Sequence, residues 1–353
     1  MSGSSAGTIN WSLAGPVAHR MAGTYPLADT YHIRQLENTL PDIVRQAAVM
    51  VTKETGLATP GDPEVLVVSR ADWADRNLAT FSHLLAPLES KIAEKLEESG
   101  SKGGAPVLMA RQVVAIETGA LLGFLSRRVL GQYELVLPTG DKGDVVAVVG
   151  ANVLALERQQ QLKPADFRLW IALHEATHRA QFLGVPWIRE YFLSLVTELV
   201  GSAAPTPGRI GRLVAEVIEA ARQGRPLIDD TGLLGLLATP EQRQTIDKVQ
   251  ALMSLLEGHG HVVMDRIGAR ILPTQGRMSS ILKARRADPR TAAFLRLTGM
   301  EMKMRQYEMG EKFITVVENE SGWSALDRAW LGPEWLPTLP EIEQPTQWLQ
   351  RVG

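Results

Sequence analysis

Apolar residues recur at three- and four-residue steps over most of the chain, and three short stretches switch to strand-like runs. Leu36, Leu40, Ile43, Val44, Ala47 and Val51 predict a helix over residues 33–54. Gly61 and Pro63 break the pattern, and residues 65–68 read as a short strand. Residues 71–98 predict a helix whose mixed-charge end is a solvated face, followed by a Gly-rich loop over 99–105. Residues 106–130 predict one long helix, in which Gly119 and Gly123 leave room for a second backbone. Strands are expected over 133–137 and 144–149, joined by the turn-rich 138–143 as a hairpin or return connection. The second is apolar throughout and reads as buried on both faces. Its loop has no P-loop lysine–hydroxyl pair and no GxGxxG, so it is not a phosphate cradle.

The second half is almost wholly helical in pattern. Helices are expected over 164–183, 187–200 and 210–222, with a linker at 203–208 and a breaker-rich connection over 224–239. Pro240 opens a long helical run to about residue 267, and 277–319 hold two or three more helices. The tail from Trp323 is rich in Trp and Pro and is expected to wrap over the body. The pattern predicts a mainly helical α+β protein with a small sheet. We read it as one large domain, 1–353, with a subdivision into an N-terminal helical part, 1–130, and a second part, 131–353.

Composition narrows the chemistry. The net charge of -2 gives no electrostatic case for nucleic acid or an anionic membrane as partner. The N-terminal residues lack the basic and apolar regions of a secretion signal. The longest apolar run, 145–156, is interrupted by Gly150 and Asn152, so a cytoplasmic protein that does not enter the membrane is expected. The chain has no Cys, so a metal must be held by His and carboxylates, and a thiol nucleophile is excluded.

The predicted helix over 164–183 carries the chemistry. Pro164 suits a first turn, Asp166 complements the positive end of the helix dipole, and Gly184 and Pro186 form a stop. Phe167, Trp170, Ile171, His174, His178 and Gln181 fall on one side, a mostly apolar face expected to be buried. His174-Glu175-Ala176-Thr177-His178 is a His-Glu-x-x-His pattern. Its two imidazoles, one turn apart, can bind one Zn²⁺, and Glu175, rotated by about one residue, can take a proton from a water activated there. The competing reading is a hydrogen-bonded pair of core histidines. Trp170 and Trp187 are read as packing residues on either side.

Catalytic zinc usually has three protein ligands. The best source of a third is Leu255–Asp265, where Glu257, His261 and Asp265 share a helix face at four-residue steps. Glu257 ends an apolar run, where an unpaired carboxylate is costly and a metal removes that cost. His261 is the alternative ligand, or a donor to a developing oxyanion. Asp265 is a candidate to orient a ligand, and His259, pointing off the face, reads as structural or solvent-facing. Gly258 and Gly260 weaken a helix interior, and close approach of the His174 helix is the expected reason. Tyr307 and Arg305, in a Met-rich segment, are candidates for stabilising a tetrahedral intermediate, against a purely packing role.

These segments resemble the zincin-like metallopeptidase type 2 family, a group of bacterial proteins, some of them labelled as associated with deazaflavin-coenzyme biosynthesis. The matching pieces are Leu130-Gly131-Gln132-Tyr133, Asp166-Phe167-Arg168-Leu169-Trp170, His174 to Arg179, Val185-Pro186-Trp187, and Glu257-Gly258-His259 with Val263-Met264-Asp265. Arg305-Gln306-Tyr307-Glu308 with Gly310, and Leu336-Pro337-Thr338 with Trp348, also match. The resemblance implies a zincin-like fold with the His-Glu-x-x-His helix at its centre, His174 and His178 as ligands, Glu175 as catalytic base and Glu257 as third ligand. The expectation is a zinc-dependent hydrolase acting on a peptide or other amide. The alternative is a zincin scaffold kept as a catalytically silent binding or structural protein.

Overall fold

A computed structural model describes residues 9–98, 105–136, 139–202, 240–286 and 301–353. Residues 99–104 of the loop expected at 99–105, the loops expected at 203–208 and 224–239 and the helix expected over 210–222 lie outside these residues, as does 287–300. The chain divides into two compact units. One comprises Met1–Pro186 and Arg266–Met278, the other Trp187–Asp265 and Ser279–Gly353.

The first unit opens with α1 (Trp11–Ala22) and α2 (Tyr31–Thr55), then β1 (Glu64–Val68), α3 (Arg70–Glu98) and α4 (Ala105–Ser126). Ala14, Ala18 and Ala22 of α1 are fully buried. α1 lies so close to α4 that a Cβ at Gly119 would meet the Ala14 carbonyl oxygen at 2.4 Å, and one at Gly123 the Ala18 oxygen at 2.3 Å. The small residues predicted to admit a second backbone do so. α4 stops four residues short of the expected end at residue 130. The Asn152 side-chain amide donates to the carbonyls of Ser126 and Val129, at 2.7 and 2.6 Å, and takes these groups out of the helix.

β2 (Gly131–Val136) and β3 (Lys142–Val149) follow, then α5 (Gly150–Gln159) and α6 (Pro164–Gly184). The sheet order is β1-β3-β2, with β1 parallel and β2 antiparallel to β3. The central strand β3 is buried from Val145 to Val149, as its unbroken apolar run predicts. α6 packs on α2 and β2. Two buried arginines fix it. Arg168 makes a two-pronged contact with Glu157 of α5, at 2.8 and 3.0 Å. Arg179 grips Asp144 of β3, at 2.7 and 2.8 Å, and donates to the carbonyls of Pro60 and Gly61. Each guanidinium is matched by acceptors, which removes the cost of burying its charge.

The second unit holds α7 (Ile188–Ser202), most of α8 (Pro240–Ile271) and of α9 (Gln275–Arg286), and α10 (Glu301–Ser321). Two 3₁₀-helical pieces, Trp323–Trp330 and Pro333–Trp335, lead to the short helices α11 (Leu339–Glu343) and α12 (Pro345–Val352). This tail packs on α10, with the Trp348 ring against Phe313 and its N–H donating to the Trp335 carbonyl at 2.8 Å. Glu341 ties the end down, accepting from the Thr338 N–H at 2.8 Å and from Arg351 at 2.6 and 3.0 Å. Burial pushes the Glu341 carboxyl up, but its bonds to Arg351 and Thr338 outweigh that and hold it below the usual carboxylate value.

The fold is mainly helical α+β with a small mixed sheet, as the pattern of the sequence predicts. No described helix is long and apolar enough to cross a membrane.

Candidate metal centre

α6 begins where predicted. Pro164 occupies its first turn, and Asp166 accepts from Lys163 at 3.2 Å and from the Thr274 hydroxyl at 2.9 Å. From Asp166 to Gln181 every residue is buried except His174 and His178, which are half-buried. Of the face expected to be buried, Phe167, Trp170, Ile171 and Gln181 are buried, while His174 and His178 are half-buried.

The two imidazoles face each other through Nε2, 3.2 Å apart, with the rings at 82°. Two nitrogens bound to one tetrahedral zinc, each at about 2.0–2.1 Å, stand about 3.3 Å apart. The spacing therefore fits a shared ion. The Nδ1–H of His178 donates to Gln181 Oε1 at 2.9 Å, which puts the lone pair of the neutral ring on Nε2. One ligand atom from each of His174, His178 and Glu257 lies within 4.8 Å of the others, a group able to hold a metal ion. Two imidazoles and a carboxylate are a donor set that suits zinc.

Glu175 is 4% exposed and lies on the backbone of β2. A Cβ on Gly131 would stand 2.7 Å from Glu175 Oε1 and 2.9 Å from its Cγ. Glycine at 131 is therefore what lets the carboxylate lie where it does. Gly131 belongs to the segment Leu130–Tyr133 that matched the family, but its role was invisible without the strand it begins.

In the second unit, α8 is buried without interruption from Ser254 to His261. Gly258 does admit a close neighbour, but that neighbour is α10 and not the His174 helix. A Cβ at Gly258 would lie 2.2 Å from the Gly310 carbonyl carbon, and one at Gly310 would lie 1.9 Å from the Ser254 oxygen. His259 is 2% exposed and not solvent-facing; it stacks on Trp323 at 5.7 Å and meets Trp330 edge-on at 5.1 Å. The Trp187 N–H donates to the Trp330 carbonyl at 2.9 Å, consistent with a packing role for that ring. Nδ1 of His261 lies 3.0 Å from Glu311 Oε1. Asp265 is half-buried. The side chains of Tyr307 and Arg305 lie outside the described residues.

A family model described as a zincin-like metallopeptidase matches residues 9–349. No curated protein matches the chain. Among solved structures, a crystal structure of a Chloroflexus aurantiacus protein, described as a candidate hydrolase with a novel fold, is similar at 29% identity, with 98% of each chain covered and a TM-score of 0.68. The family match implies a metal, and the His–His–Glu group is able to hold one. The chain belongs to the zincin-like metallopeptidase family.

Proposed function

We propose that this protein is a zinc-dependent hydrolase of a peptide or other amide bond. His174, His178 and Glu257 would hold the ion. The observation that carries the reading is the 3.2 Å facing of the two Nε2 atoms, with Glu257 within 4.8 Å and a buried glutamate between the histidines in sequence. Zinc, when bound, supplies Lewis acidity that acidifies water and polarises a carbonyl. Glu175 takes the proton of the attacking water as the C–O bond forms, then passes it to the amide nitrogen as the C–N bond breaks. The products are a carboxylic acid and an amine. His261 and Tyr307 are the candidates to donate to the oxyanion.

The test is metal analysis beside turnover on a peptide library. Wild type is expected to carry one zinc, His174→Ala none, and Glu175→Gln one zinc with turnover lower by about two to four orders of magnitude. Equal zinc in wild type and His174→Ala removes the metal site. Full turnover by Glu175→Gln removes the base and leaves the silent-scaffold reading.

A further inference from the structure

His261 lies one turn beyond Glu257 on the same buried face of α8. His261 is 5% exposed, so its ring nitrogens need partners inside the protein. Glu311 supplies one, with Oε1 3.0 Å from Nδ1. The meeting is fixed by backbone. Gly258 and Gly310 cross without room for a Cβ on either, His261 follows Gly258 by three residues, and Glu311 follows Gly310 directly. The other oxygen of Glu311 is 3.8 Å from Lys283 Nζ, whose side chain is 59% exposed and adds little. Glu257 and Asp265 are the charged neighbours of His261 on its own helix, one turn to either side.

We propose that Glu311 is a positioning residue. It accepts the Nδ1–H of His261, fixes the ring, and so makes Nε2 the nitrogen that exchanges a proton or a hydrogen bond with the reacting groups. The role given to Nε2 rests on the hydrolase reading above; the fixed Nδ1–H does not. Because a carboxylate cannot donate, an ionised Glu311 admits only one polarity for this bond. Glutamine at 311 can still accept through its amide oxygen, whereas alanine cannot.

The test is ¹⁵N NMR of histidine-labelled protein, with His261 assigned by loss of its signals in His261→Gln, alongside zinc content and steady-state kinetics. Wild type is expected to show Nδ1 protonated and Nε2 as the exchanging nitrogen. Glu311→Gln is expected to keep that pattern and Glu311→Ala to lose it. Zinc content should stay at the wild-type level in both, and kcat should fall about ten- to a hundredfold in Glu311→Ala with KM unchanged. Nδ1 unprotonated in wild type overturns the proposal, as does an unchanged pattern in Glu311→Ala. If Glu311→Ala does not fold, Glu311→Asp, whose shorter carboxylate cannot keep the 3.0 Å contact without moving the ring, reads the same signal. The nitrogen pattern can be read whether or not the protein turns over a substrate, so failure of the hydrolase reading is a separate result.

Discussion

A single methyl group at residue 310 tests the link between helix crossing and metal binding. In Gly310→Ala the new Cβ would stand 1.9 Å from the Ser254 carbonyl oxygen. A carbon and a carbonyl oxygen sit comfortably no closer than about 3.3 Å, so about 1.4 Å must be found. The obstacle is backbone on both sides, so no rotamer change supplies it, and α8 and α10 must separate. Overpacking of this kind costs about 1–3 kcal/mol, against a gain of at most about 1 kcal/mol from removing a glycine from a helix. A net loss of about 1–2 kcal/mol is expected. Glu257 directly precedes Gly258 at the crossing, and zinc tolerates ligand distances off by only about 0.2 Å. Zinc affinity should therefore fall at least about tenfold, in the range seen when the support of a ligand is lost. Stability is read by urea unfolding of zinc-free protein and affinity by competition with a chromogenic chelator. Gly276→Ala is the control, because a Cβ there meets nothing within 4 Å. If Gly310→Ala binds zinc like wild type and is no less stable than the control, the crossing does not position Glu257.

Gly131→Ala should push Glu175 off the β2 backbone, since the carboxylate and its Cγ stand within 2.9 Å of the new atom. Zinc content should not change, while kcat should fall by about ten- to a hundredfold, because displacements of the order of 1 Å at a reacting group carry costs of that size; full kcat would refute the contact. Glu341→Gln should destabilise the C-terminal tail by about 1–2 kcal/mol at neutral pH, less than a fully buried pair because Arg351 is 38% exposed. The Glu341 carboxyl is held below its ordinary value of 4.5 when folded. Its contribution is thus fully present above that value and lost as pH falls through the folded one. Hydrogen exchange of the tail should separate the two proteins at pH 7 and converge in acid; a gap that persists at low pH would mean the carboxylate's charge is not the cause.

The helices were legible because their signals are local. The six apolar positions that predict a helix over 33–54 belong to the observed Tyr31–Thr55, and Leu36, Leu40, Val44, Ala47 and Val51 are all buried. The start and stop residues of α6 lie within a few positions of its ends. Where an end is fixed from elsewhere, local pattern misleads. Nothing in 126–130 announces that Asn152, on another helix, will take the carbonyls of Ser126 and Val129. Burial of α6 beyond its apolar face was also hidden, because Asp166, Arg168, Glu175 and Arg179 read as polar positions until their buried surroundings are known.

The candidate metal centre divides along the same line. His174 and His178 were legible because one helical turn dictates their distance. Glu257 and His261 were left as alternatives because the same turn places both on one face, and periodicity cannot rank two residues that share it. Gly258 did signal a close approach, yet a glycine states only that something comes near. That neighbour is α10, which places Glu311 next to His261. Which neighbour Gly258 admits depends on Gly310, a residue far along the chain, and no local pattern around residue 258 carries that.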